Sequence, residues 1–98
     1  MLLIGKSAQE NWDIIDSSDP EWIWLHLKSF PSAHIVITES DPDMDLIIHA
    51  AECCKNATKY KNLRNLKVSY CKIKNLKKAE KVGSVYFKSN RKVKQVLI

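Results

Sequence analysis

Two histidines, His26 and His34, are the side chains of this chain whose type and spacing most readily suggest chemistry. Each lies in a short segment of strand-forming residues, and Phe30-Pro31 between them does not suit a central strand. A histidine pair can share general acid and base work, as in a nuclease, or supply two ligands to a metal ion. It can also hydrogen-bond the backbone of a neighbouring loop. The rest of the sequence must decide between these roles.

Metal binding and catalysis find little support elsewhere in the chain. Catalytic zinc sites use three protein ligands, and the sequence contains no H-x-x-E, H-E-x-x-H or C-x-x-C motif. Cys53 and Cys54 are adjacent on a predicted helix and diverge by about 100°, and together with Cys71 they are expected to fill the core. We therefore predict no metal site, no cofactor and no catalytic residue. A nuclease that uses both histidines is the less favoured enzyme alternative.

The register of the predicted hairpin decides whether the two imidazoles meet. In the first strand Trp24 and His26 alternate with aliphatic residues, so one face is apolar and the other carries aromatic and polar groups. A connection with an even residue count would place His26 opposite Ile35 and put the histidines on opposite faces. An odd count or a bulge would place His26 opposite Val36 and gather both histidines and Lys28 on one face. The residues themselves leave both registers open.

The remaining elements predict an α+β fold for one domain spanning residues 1–98. Ser7 and Glu10 have the spacing of a capping box, and Asp41-Pro42 predicts the start of a second helix. The further predicted strands are residues 2–4, 67–73, 84–88 and 92–98. We expect a mostly antiparallel sheet of about five or six strands, with two helices packed on one side of it.

Charge restricts the function more than overall composition does. No apolar run approaches the roughly 18 residues that span a bilayer, and no signal-peptide core follows Met1. Three cysteines without a C-x-x-C motif favour a reducing compartment, so a cytoplasmic location with no membrane partner is expected. Residues 1–50 carry a net charge of −7 and residues 51–98 a net charge of +12, which leaves +5 overall. This asymmetry indicates a surface that binds a polyanion.

The basic half of the chain also interleaves lysines with aromatic residues. Tyr70 and Tyr86 alternate in phase with lysines on predicted strands. Rings that stack bases beside cations that neutralise phosphates suit single-stranded or looped RNA. The alternative is that both tyrosines pack beneath the lysine stems. Because charge alone does not distinguish RNA from DNA, a DNA-binding or protein-interaction module that uses the same basic face remains open.

Five short segments occur in an order that resembles a known family. They are Gly5–Asn11, Trp24–His26, Pro31–His34, Lys74–Lys78 and Gly83–Val85. Together they resemble the NFACT-R domain, the RNA-binding domain of the NFACT proteins of ribosome-associated quality control, over nearly the whole chain. Ser32 stands where that family usually has glycine. Because the family pattern contains both histidines, the resemblance favours the register that places them on one face.

The resemblance implies a stand-alone module that binds tRNA or ribosomal RNA, with the ribosomal large subunit as a further partner. On this interpretation Trp24, His26 and His34 line a pocket for a base or a loop backbone. Phosphates would be contacted by seven cations of the basic half, which are Lys72, Lys74, Lys77, Lys78, Arg91, Lys92 and Lys94. We expect these cations to converge on one surface beside the pocket. Recruitment of aminoacyl-tRNA, which in the large NFACT proteins needs further domains, is not implied.

Overall fold

The computed structural model describes all 98 residues and contains seven strands and two helices. In chain order these are β1 (Leu2–Ile4), α1 (Ala8–Ser17), β2 (Ile23–Leu27), β3 (Ile35–Ile37), α2 (Met44–Asn56), β4 (Lys67–Lys72), β5 (Leu76–Lys78), β6 (Val85–Phe87) and β7 (Lys94–Leu97). Five strands form an antiparallel sheet in the order β1-β3-β2-β4-β7, and β5 pairs with β6 in a separate ribbon. The predicted α+β class, with two helices on a mostly antiparallel sheet, is confirmed.

Helix α1 begins where the capping spacing predicts. The Ser7 hydroxyl accepts a hydrogen bond from the backbone N–H of Glu10 at 3.1 Å. The Glu10 carboxylate accepts from the N–H of Lys6 at 3.0 Å instead of from Ser7, so the reciprocal half of the box is displaced by one residue. These bonds fix the start of α1 beside the end of β1.

The predicted cap of α2 is wrong by two residues. Asp43, and not Asp41, caps the helix by accepting a hydrogen bond from the N–H of Leu46 at 2.9 Å. The stripe that α2 buries against the sheet starts at Ile47 and continues to Cys54. An earlier start would add only Pro42, which is half-buried, and Asp43, which is exposed, so it would bury little more surface. Neither helix has the length and apolar character needed to cross a bilayer.

The two helices lie on opposite faces of the sheet, and the expectation that they share one side is wrong. Helix α2 covers the face that carries Leu25 and Leu27, whereas Ile14 and Ile15 of α1 pack against the face that carries Trp24. The β5–β6 ribbon completes the cover of this second face. Both faces of β2 carry bulky apolar side chains that need burial. A sheet covered on one side only would leave Trp24 in water.

The predicted C-terminal hairpin does not form. Strand β6 pairs with β5, a strand that the sequence interpretation treated as a basic connection, and β7 pairs with β4. The buried side chain of Asn75 holds the start of β5 to the end of β6. Its Nδ2 donates to the carbonyl of Ser89 at 2.9 Å, and its Oδ1 accepts from the N–H of Ser89 at 3.0 Å. Asparagine thereby joins two segments that are 14 residues apart in the chain.

Candidate nucleic-acid interface

The β2–β3 register brings the two histidines onto one face. Trp24 pairs with Val36 and Leu25 with Ile35, so the same register continued by one residue places His34 across from His26. The ring centroids of the two imidazoles are 5.0 Å apart and nearly perpendicular. The shared face is therefore confirmed. The partner expected for His26, Val36, is wrong by two positions, because seven residues separate His26 from its opposite position where the expected register has nine.

The indole of Trp24 sets the orientation of His34. Trp24 is only 2% exposed, and its Nε1 donates a hydrogen bond to His34 Nδ1 at 3.1 Å. A neutral imidazole that accepts at Nδ1 carries its proton on Nε2. The backbone of His34 is also held, since its carbonyl accepts from the N–H of Gly5 at 3.0 Å and its N–H donates to Asn11 Oδ1 at 3.3 Å. His34 is thus a fixed ring with its N–H at Nε2.

Both imidazoles are neutral at physiological pH. Burial, assisted by the neighbouring His26, lowers the pKa of His34 to about 3. Burial also lowers the pKa of His26 below 6.5. The pair can therefore offer hydrogen bonds to a ligand without carrying charge.

The histidines lie on the floor of a surface groove that has two connected arms. One arm, of about 510 Å³, runs past Phe30, Ser69 and Phe87, and the other, of about 790 Å³, runs past the start of α1 and residues 57–60. The arms share both histidines and the backbone around Gly83. These volumes fall within the range of ligand-binding clefts, although both arms are open to solvent and lined mostly by polar residues.

Gly83 closes the wall between the groove and α1. Its φ of +88° is a left-handed conformation, and a Cβ at this position would lie 2.9 Å from the Cα of Ala8. The indole of Trp12 donates to the carbonyl of Ser84 at 3.0 Å, which holds the same segment from the other side. The β5–β6 connection can approach α1 this closely only because residue 83 has no side chain.

Four lysines line the groove, and no carboxylate does. Lys28 lies in the first arm and Lys6, Lys59 and Lys81 in the second. None of the four forms an ion pair, because the three ion pairs of the protein involve other lysines. Of these four, the sequence placed only Lys28 near the histidines, through the alternation of β2. The other three come from separate segments that only the tertiary fold brings together.

Three of the seven predicted cations are held by carboxylates elsewhere. Lys72 and Lys74 contact the two oxygens of Glu21 at 2.8 and 2.7 Å and lower the pKa of that carboxyl to about 2. Lys78 contacts Asp16 at 2.7 Å and lies 5.2 Å from the centre of the Trp12 ring. These lysines are thus engaged with the acidic half of the chain.

The expectation of one patch beside the pocket is not met. Lys72 pairs with Ile23 and Lys94 with Tyr70, so both project from the face that α2 covers, opposite to Trp24. Lys77 is exposed on the outer side of the ribbon, and Arg91 and Lys92 are exposed in the short 3₁₀ turn after β6. The seven cations therefore surround several sides of the protein.

The cysteines do not contribute to the groove. Cys54 and Cys71 are buried in the two cores, and burial raises the pKa of Cys71 to about 11. Cys53 is half-buried and packs against the α2 core, and His49 is exposed on that helix. Histidine, cysteine and carboxylate side chains form no group of three that could hold a metal ion.

Comparison with known proteins assigns the chain to a family. The sequence pattern of the NFACT protein RNA binding domain matches residues 1–89. The chain belongs to this family. Its relatives are therefore domains that are named for RNA binding.

Individual relatives of the NFACT RNA-binding domain extend the comparison. The chain is 34% identical over 95 residues to the Rqc2 homolog RqcH of Bacillus subtilis, which covers 94% of this chain and 17% of that protein. It is 28% identical to coiled-coil domain-containing protein 25 of Danio rerio, over 99% of this chain and 51% of that protein. The chain thus spans about half, or less, of the length of these curated relatives.

A solved structure shows the same fold. The C-terminal part of the fibronectin/fibrinogen-binding protein from Streptococcus suis superimposes with a TM-score of 0.89 at 26% sequence identity. The match covers 99% of this chain and 39% of that one. Both sheets and both helices therefore belong to an architecture that occurs within longer proteins.

Proposed function

We propose that this chain is a single RNA-binding module of translation, which acts in ribosome-associated quality control in the cytoplasm and binds tRNA or ribosomal RNA. The observation that carries the proposal is the groove above His26 and His34, which four unpaired lysines line and no carboxylate enters. A cleft lined by one sign of charge concentrates the opposite charge near its walls. A phosphate backbone is the polyanion that the family relationship favours.

The cations predicted from the sequence take different places in this proposal. Lys77, Arg91 and Lys92 are exposed and free of ion pairs, and they border the ribbon that forms one wall of the groove. We place them in the interface as phosphate contacts. Lys72, Lys74 and Lys78 hold carboxylates, and Lys94 faces away, so these four act through the long-range field instead. Trp24 is a positioning residue that orients His34.

The chemistry of the histidine pair supports binding more than cleavage. An acid–base nuclease needs one protonated and one neutral group. Burial lowers the pKa of both His26 and His34, which disfavours the imidazolium form that would act as the general acid at neutral pH. If purified protein nevertheless cleaved labelled tRNA, and His26→Ala abolished the cleavage, the enzyme alternative would replace this proposal.

A competition experiment tests the ligand class. Labelled tRNA or ribosomal RNA fragments are titrated with the protein and then challenged with duplex DNA and with an acidic peptide. We expect RNA to compete far better than either. Displacement of RNA by duplex DNA or peptide with equal efficiency would favour a DNA-binding or protein-interaction module. Crosslinking and sequencing of RNA bound in cells, with a Lys6→Glu/Lys81→Glu control, identifies the RNA.

A further inference from the structure

A row of polar side chains crosses the main sheet beneath the groove. His26 pairs with Ser69 on β4, and Ser69 pairs with Gln95 on β7. The β2–β3 register places His34 on the other side of His26. Paired residues project from the same face, so four polar groups lie side by side on a face that is otherwise apolar around Trp24. From His34 to Ser69 the row spans two strand spacings, about 10 Å.

Two members of this row belong to buried residues and yet each has one side-chain atom without a protein partner. His34 is 4% exposed and Ser69 is 6% exposed. The Nε2 of His34 and the hydroxyl of Ser69 make no hydrogen bond within the protein, and neither is sealed from the groove. Both atoms therefore reach solvent, and a ligand in the groove can take the place of water on them. The floor of the first arm therefore offers one N–H donor and one hydroxyl to a molecule that enters it.

The walls of the same arm carry aromatic rings. Phe30 and Phe87 are half-buried and line the arm, and each is braced from behind, Phe30 by Tyr60 at a centroid distance of 4.5 Å and Phe87 by Trp24 at 5.6 Å. Lys28 is the cation of this arm. A flat ring system that has hydrogen-bonding edges and an attached phosphate matches all three features.

We propose that the first arm of the groove binds one unpaired RNA nucleobase, with the edge of the base on His34 Nε2–H and the Ser69 hydroxyl and its phosphate near Lys28. The inference rests on the proposed function and specifies its ligand. His34 offers a donor, so the base must present a carbonyl oxygen or an unprotonated ring nitrogen. Bases within an A-form duplex cannot reach this floor, because their major-groove edges lie too deep for protein side chains. The ligand class is thus a single-stranded loop or end.

Nuclear magnetic resonance of the histidine rings tests this directly. In the free protein, ¹⁵N shifts should show His34 as the neutral tautomer protonated at Nε2. Addition of short single-stranded homopolymers of each base should move the Nε2 resonance of His34, and an RNA duplex of equal charge should not. Ser69→Ala should weaken single-strand binding roughly tenfold and leave duplex binding unchanged. Ser17→Ala, on the exposed end of α1, is the matched control and should change neither affinity.

The outcomes separate the inference from the proposed function. If single-stranded RNA saturates the protein and the His34 resonance stays fixed, the base site is refuted while RNA binding stands. Equal loss of single-strand and duplex affinity in Ser69→Ala also refutes it. Absence of binding to any RNA refutes both. Trp24→Phe provides a second variant, because it keeps a ring in the core but removes the bond that selects the tautomer, and it should lower single-strand affinity selectively.

Discussion

The hydrogen bond from Trp24 to His34 is the single contact on which the proposed site most depends. The alternation of β2 predicts that Trp24 and His26 share a face, and the structure confirms it. What alternation could not show is that this face is a second core. Trp24 is buried there, and the hydrogen bond to an imidazole ten residues later depends on a loop whose length sets the register. The alternation of residues along a strand determines which face of the sheet a side chain lies on, whereas the hydrogen bond between Trp24 and His34 also depends on tertiary packing.

Acid should destabilise the protein through His34. Its pKa is about 3 when folded and about 6.5 when unfolded, so between these values the unfolded chain binds more protons. The stabilisation is complete above pH 6.5 and is lost as pH falls, by about 1.4 kcal/mol per pH unit. Urea unfolding at pH 7 and pH 5 should show a loss of about 2 kcal/mol. His34→Asn should reduce this loss, whereas His49→Asn, at an exposed position, should not.

Among the elements, local signals predicted more than pairing between distant segments. Ser7 predicted the start of α1 because a cap is decided within four residues. The β5–β6 ribbon was missed because Lys77 and Lys78 are charged and because Asn75 fixes the turn through contacts with Ser89. A three-residue strand that contains two adjacent lysines cannot be distinguished from a solvated connection by composition.

The cap of α2 provides a matched pair of variants. Asp43→Ala removes the acceptor for the N–H of Leu46 and should lower the free energy of unfolding by about 1 kcal/mol. Asp41→Ala removes the same charge two residues earlier, without a cap bond, and should change it by less than about 0.5 kcal/mol. Thermal or urea unfolding measures both. Equal effects would show that charge near the helix, and not the cap, is responsible.

Gly83 couples the ribbon to α1. Gly83→Ala combines a positive φ with a contact of 2.9 Å to the backbone of Ala8, so it should cost about 1–3 kcal/mol of stability and widen the groove. Val82→Ala, at the exposed neighbouring position, should cost little. Chemical shift changes in Gly83→Ala should extend to Trp12 and Ser84. A variant as stable as the original protein would contradict this close approach of Gly83 to Ala8.

At the scale of the whole molecule, folding cancels part of the charge asymmetry that the sequence displays. All three ion pairs join the acidic half to the basic half. The charge count therefore predicted a polyanion ligand, but it did not show that three lysines of residues 51–98 are held in ion pairs. Lys6 and Lys28, the two cations of the acidic half, line the groove instead. Charge counts along a sequence cannot reveal which carboxylates fold against which lysines.

The salt dependence of tRNA binding tests the groove most directly. Each phosphate contact contributes about −0.7 to −0.9 to the log–log slope of affinity against salt. Lys6→Gln/Lys81→Gln and Lys72→Gln/Lys74→Gln remove the same net charge, one pair from the groove and the other from Glu21. We predict that the groove pair flattens the slope by about 1.4–1.8 units and that the Glu21 pair changes it little. Equal flattening by both pairs, or a larger effect of the Glu21 pair, would contradict the groove as the RNA interface.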